Sequence, residues 1–132
     1  MTAMTFTIGE MCAEFGVTPR TLRFYEYKEL LAPIREGQKR LFTQRDCARL
    51  KLILRGKRFG FTLDEIKDLL DLYEVDPTML TQIAATMEVA RRHHAEMISR
   101  RDELNAAIAD LEGYMAEGKR ILAARPKTEA AA

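Results

Sequence analysis

The chain has 132 residues with 47% hydrophobic side chains, which suits one ordinary domain with an appendage and excludes wholesale disorder. Its 21 Lys and Arg nearly cancel 20 Asp and Glu, and the net charge of +1 by itself points to neither a nucleic acid nor a membrane. No apolar run approaches the roughly 20 residues that span a bilayer, and MTAMTFTIGEM does not read as a secretory leader, so a cytoplasmic protein is expected.

Thr7-Ile8-Gly9-Glu10 has the form of a capping box, in which Thr and Glu side chains satisfy free backbone N–H groups reciprocally. It predicts a first helix from about Ile8 to Phe15. After a tight turn at Gly16-Val17, Thr18-Pro19 places an N-cap before a proline at the first helical position. The second helix is expected from Thr18 to about Lys28, burying Leu22 and either Phe24 or Tyr25. Between Ala32 and Phe42, the apolar ends Pro33-Ile34 and Leu41-Phe42 flank Arg35-Glu36-Gly37-Gln38-Lys39-Arg40. That pattern predicts a β-hairpin with a Gly-centred polar loop. Thr43 with Asp46 opens a third helix from about Gln44 to Lys57, and the capping box Thr62-Leu63-Asp64-Glu65 opens a fourth from about Leu63 to Tyr73. Asp76-Pro77 repeats the cap–proline start.

From Thr78 to about Leu122 there is no proline, and apolar residues keep a seven-residue period. The a sites are Leu80, Met87, His94, Arg101, Ile108, Met115 and Leu122, and the d sites Ile83, Ala90, Met97, Leu104, Leu111 and Gly118. Only His94, Arg101 and Gly118 break this coiled-coil seam; the two polar side chains are expected to fix register, the alternative being a pH-sensing or ligand-binding role for His94. The helix should extend roughly 65–70 Å, more than the preceding domain can cover, so a homodimer is expected. Its interface would be Leu80, Ile83, Met87, Ala90, His94, Met97, Leu104, Ile108, Leu111 and Met115. The expected organisation is a domain over 5–75, a dimerisation helix over 76–122 and a disordered tail over 123–132.

Little in the sequence suggests chemistry. Cys12 and Cys47 form no CxxC spacing and read as small buried hydrophobes. His93 and His94 are adjacent, so on a helix they point about 100° apart and cannot share a metal. No phosphate loop, nucleophile elbow or HExxH is present. Neither an enzyme nor a bound metal or cofactor is expected.

Charge becomes informative when divided by position. Residues 1–61 hold 12 Lys and Arg against 6 Asp and Glu, whereas residues 62–132 hold 9 against 14. A basic, aromatic-rich first half therefore precedes an acidic second half. Two short helices joined by a turn around Gly16 make a helix-turn-helix. The second presents Arg20 and Arg23, three apart on one face, with Thr21 and Lys28 nearby, and Arg fits guanine edges or clamps phosphate. The hairpin adds Arg35, Lys39 and Arg40, and Arg55-Gly56-Lys57-Arg58 adds a second basic loop. Three basic clusters around one reading helix suggest a winged helix that grips double-stranded DNA. The alternative reading is a coiled-coil adaptor whose basic half binds an acidic protein, which would leave no footprint on DNA.

TFTIGEMCAEFGVTPRTLRFYE, the hairpin ending KRLFT, and RFGFTLDEI together resemble the DNA-binding domain of MerR-type transcriptional regulators. The resemblance covers about residues 5–73, and the long helix is similar to that family's antiparallel dimerising coiled coil. It implies a mainly α fold: a winged helix-turn-helix followed by a coiled-coil helix. It also implies a bacterial, nucleoid-associated dimer on a palindromic promoter with an over-long spacer. The dimer bends and untwists that DNA so that RNA polymerase engages both promoter elements. Position by position, the resemblance puts Arg20, Arg23 and Tyr25 on the recognition helix, Arg40 in the first wing, and Lys57 and Arg58 in the second. Thr18 and Tyr25 would reach phosphates and Arg20 a base.

The chain departs from the family at Phe24 and Phe42, where tyrosine is frequent, and each Phe removes a hydroxyl that could hold a phosphate. It lacks the cysteines of the metal-sensing and redox members and the large C-terminal domain of drug-sensing ones. RLKLILRGKRFGFTLDEIKDLLDLY further resembles regulators of branched-chain amino-acid and fatty-acid catabolism. That implies a small organic effector, such as an acyl-CoA.

Overall fold

Residues 4–75 and 79–126 are described in a computed structural model. The Asp76-Pro77 start and the tail from residue 127 lie outside the described residues. Thr5–Phe6 forms β1, Ile8–Phe15 α1, Pro19–Tyr27 α2, Ile34–Glu36 β2, Lys39–Thr43 β3, Gln44–Arg58 α3, Leu63–Val75 α4 and Leu80–Ala124 α5. The chain divides into two units between His93 and His94.

The capping signals act as the sequence implies. Glu10 N–H donates to Thr7 Oγ1 at 3.1 Å while Thr7 N–H donates to Glu10 Oε1 at 2.9 Å. Thr62 and Glu65 make the same exchange at 2.8 and 3.1 Å. At the start of α3 the acidic partner is Asp46, which does more than cap. Its side chain is fully buried and accepts from Ala32 N–H, Thr43 N–H and the Thr43 hydroxyl. Three donors satisfy a carboxylate that would otherwise be costly to bury, and they tie the chain leaving α2 to the chain entering α3.

The sheet differs from the expected hairpin in two ways. Its order is β1-β3-β2, all antiparallel, with Thr5 opposite Thr43 and Phe6 opposite Phe42. A two-residue strand such as β1 carries no alternation long enough to read. The expected polar loop is also mostly strand. Arg35 pairs with Arg40 and Glu36 with Lys39, leaving only Gly37-Gln38 as the turn. The like-charged Arg35/Arg40 pair is tolerated because Glu26 of α2 lies 3.6 Å from one guanidinium and 2.6 Å from the other.

The core of the first unit joins Met11, Leu22, Tyr25, Phe42, Leu50, Ile53, Ile66 and Leu70. Gly56 permits the close approach of α3 and α4, because a Cβ there would lie 3.0 Å from the Ile66 side chain. The buried Arg49 donates from Nε to the Leu30 carbonyl at 2.7 Å and faces Asp71 and Glu74 with its other nitrogens. The start of α5 also belongs to this unit. Gln82 Nε2 donates to the Leu69 carbonyl at 2.8 Å, and Val89 and Ala90 pack against the core.

The second unit contains the remainder of α5. Met97, Leu104, Ile108, Leu111 and Met115 are all exposed there, beside local ion pairs such as Arg101–Asp102 and Arg120–Glu117.

Candidate nucleic-acid interface

The outward face of α2 follows from its inward one. Leu22 and Tyr25 are buried three residues apart, which turns Arg20 and Arg23 to solvent. Thr18 starts the helix: its Oγ1 accepts from Thr21 N–H at 3.1 Å and meets the Thr21 hydroxyl at 2.9 Å. These two hydroxyls are therefore engaged in the cap. Phe24 is 43% and Tyr27 79% exposed, and the Lys28 ammonium sits 5.7 and 5.8 Å from their ring centres. Of the two aromatics considered for burial, Tyr25 fills the core and Phe24 does not.

That placement puts the Tyr25 ring in the core, with only 6% of the residue exposed. Burial also pushes its phenol above the usual tyrosine range, so it stays neutral at physiological pH. Its exposed edge lines a cleft of about 290 Å³ shared with Arg20, Thr21, Phe24, Lys57 and Leu63. This cleft brings the reading helix and the second basic loop together.

Arg40 is not a free cation. Its Nε donates to Glu26 Oε2 at 2.6 Å with both side chains three-quarters covered, so it fastens the hairpin to α2. Lys39, one residue earlier, is exposed at the hairpin turn. Among the described residues, Arg20, Arg23, Lys39, Lys57 and Arg58 are exposed and have no carboxylate within ion-pair distance.

The second wing is the C-terminal end of α3 and the turn after it. Phe61 N–H donates to the Gly56 carbonyl at 2.9 Å and Gly60 N–H to the Lys57 carbonyl at 3.1 Å. This is a Schellman closure, and Gly60, at φ 84°, supplies the left-handed residue it requires. Arg55, Lys57 and Arg58 occupy the last turn of the helix, where cations favour the negative end of its dipole.

Sequence reasoning singled out His94, but the structure gives the specific contacts to His93. His94 is exposed. His93 Nε2 lies 2.9 Å from Glu65 Oε1, and its ring is 5.0 Å from that of Phe61. Gln82, Thr86, Val89/Ala90 and His93 form a helical stripe beside the heptad seam, and that spacing was the available signal. Ala90, assigned to the seam from sequence, is partly buried against the core of the first unit. Leu80, Ile83 and Met87 remain exposed.

Cys12 and Cys47 are half-buried free thiols. Cys47 Sγ contacts Met11 Sδ at 3.5 Å, and burial, with Asp46 beside it, pushes the thiol pKa up, which disfavours the reactive thiolate. Among the described residues no cluster of His, Cys, Asp and Glu could hold a metal ion. Nor, among the described residues, is any helix long and apolar enough to cross a membrane.

Comparison with known proteins agrees with this arrangement. Residues 6–72 match the family profile described as MerR HTH family regulatory protein, and residues 47–114 match that described as MerR, DNA binding. The HTH-type transcriptional regulator ZntR of Escherichia coli (strain K12) is 31% identical over 118 residues, 88% of this chain and 77% of its own. The uncharacterized HTH-type transcriptional regulator PA4778 of Pseudomonas aeruginosa is 32% identical over 100 residues, 74% of each. Among solved structures, PbrR691 from Ralstonia metallidurans CH34 in complex with lead(II) superposes with a TM-score of 0.60 at 32% identity, covering 80% of this chain and 81% of that one. HiNmlR gives a TM-score of 0.63 at 24% identity, with 92% and 95% covered.

Proposed function

The chain belongs to the MerR family of helix-turn-helix regulatory proteins and is a DNA-binding transcriptional regulator, not an enzyme; from that premise we propose that it acts as a homodimer on a two-fold promoter site, reading bases with α2 and gripping phosphates with both wings. The observation that carries this reading is the cleft in which Arg20 of α2 and Lys57 of the second wing converge, both without an acidic partner. Arg20 is the base-reading side chain, with Arg23 beside it. Thr18 and Thr21 set the start of the helix against the backbone. Lys57, Arg58 and Lys39 hold phosphates. Tyr25 supports the floor of the cleft, and Arg40 acts through Glu26 by orienting the first wing.

HiNmlR is described as a MerR family regulator lacking the sensor domain and bound to promoter DNA. We carry that arrangement over as a proposal, with bending and untwisting of an over-long promoter spacer as its consequence. Control of amino-acid or acyl-CoA catabolism rests only on the resemblance of residues 49–73 to such regulators. The relatives above lend that pathway no support.

The test is binding of the full chain to a duplex from its own upstream region and to a random duplex, at about 150 mM salt, where non-specific binding is much weakened. Arg20→Ala should weaken specific binding by about 1–3 kcal/mol and relax discrimination at one base pair, whereas Lys57→Ala should weaken both duplexes alike. Equal affinity of the unmodified protein for the two duplexes would overturn the reading.

A further inference from the structure

The second wing carries its cations on the last turn of α3, yet what fixes that turn lies on α5. Phe61 closes the Schellman motif by donating to the Gly56 carbonyl, and its ring then lies 5.0 Å from the His93 imidazole. The same imidazole passes close to Gly60, where a Cβ would sit 3.9 Å from Nδ1. On its other side, Nε2 reaches Glu65 Oε1 at 2.9 Å, and that oxygen also accepts from Thr62 N–H at 2.8 Å. Arg92 donates to the second Glu65 oxygen at 3.1 Å. His93 thus meets residue 61 through its ring and residue 65 through a hydrogen bond, with Gly60 beside the imidazole, and His93 and Glu65 are both largely covered.

We propose that His93 and Glu65 are positioning residues of the second wing: they hold the Gly60–Glu65 segment on the start of α5 and so aim Lys57 and Arg58 at the DNA backbone. This inference rests on reading Lys57 and Arg58 as phosphate contacts. Glu65 remains ionised as an acceptor because its capping bonds with Thr62, followed by His93 and Arg92, hold its carboxyl at about 2. The cap on α4 does not itself need His93, since the exchange between Thr62 and Glu65 persists without it. Loss of the imidazole should therefore loosen the wing while leaving the helices formed.

The decisive measurement is the salt dependence of binding to the upstream duplex for the full chain, His93→Ala, Lys57→Ala and the double variant. Each phosphate contact contributes a slope of about 0.9 in log affinity against log salt. His93→Ala should weaken binding about five- to tenfold on upstream and random duplexes alike and reduce the slope by about one. The double variant should lose less slope than the two single variants add up to, because the Lys57 contact is counted in both, and His93→Gln, which keeps a donor towards Glu65, should recover most of the loss. Circular dichroism should show the helices intact in each. If His93→Ala does not fold, Glu65→Gln replaces it, because the amide oxygen still caps Thr62 while its bond to His93 weakens. Normal affinity and slope in His93→Ala, or a slope loss that adds to that of Lys57→Ala, would overturn the proposal. An unchanged slope in Lys57→Ala would instead overturn the phosphate reading on which it stands, whatever His93→Ala does.

Discussion

Glu29 adopts a conformation that L residues avoid. It follows the C-cap of α2 at φ 62°, its N–H donates to the Glu26 carbonyl, and Leu30 N–H donates to the Tyr25 carbonyl. This Schellman closure matches the one after α3, except that a glutamate occupies the left-handed position. The strain is held in place by Leu30, which is buried directly after it. Glu29→Gly should therefore stabilise the protein by about 0.5–1 kcal/mol, the difference between relieved strain and added freedom of the unfolded chain. Urea unfolding of both forms at one protein concentration checks this, and an unchanged or lower midpoint would contradict it. The same scale shows why the exposure of some candidate residues was legible and that of others not. Arg20 and Arg23 follow from helical spacing alone. Arg40 looked equivalent in sequence, but Glu26, fourteen residues away, neutralises it.

At the scale of elements, starts and stops were the most readable feature, because capping signals lie within four residues of one another. The strands were read less well: β1 is too short for a period, and β2 and β3 extend into residues whose polarity resembled a loop. The N-terminus of α4 carries a consequence for acid stability. Glu65 has its carboxyl lowered from 4.5 to about 2, chiefly by the Thr62 backbone bond and then by His93 and Arg92. A depressed carboxyl contributes stability that is present above its unfolded value and lost as pH falls through its folded one. The unmodified protein should thus lose stability between about pH 4.5 and 2. Glu65→Gln should flatten that part of the profile while lowering stability near neutrality. Parallel pH profiles for the two proteins in thermal unfolding would contradict this account.

At the scale of the whole molecule, the proposed homodimer would cover the apolar side chains of α5 beyond His93. Leu104 and Leu111 are 62% and 61% exposed, at heptad positions on a helix that presents Met97, Ile108 and Met115 as well. Sedimentation at about micromolar concentration should give roughly 30 kDa, twice the chain mass of 15.1 kDa. Leu104→Glu should shift the protein towards monomer and reduce binding to the upstream duplex more than to short random DNA. A stable monomer of the unmodified chain would overturn the dimer proposal.

The sequence by itself determined the capped helices, the basic first half, the seven-residue apolar period and the family, since each is carried by residue types at short or regular spacing. Tertiary structure decided which of two aromatics is buried at residues 24 and 25, which arginines remain unpaired, and that His93 rather than His94 makes the specific contacts. Those outcomes depend on pairs such as Glu26–Arg40 and Glu65–His93, separated by 14 and 28 residues. No local propensity encodes such pairs; they form only when packed elements bring their side chains within hydrogen-bond distance.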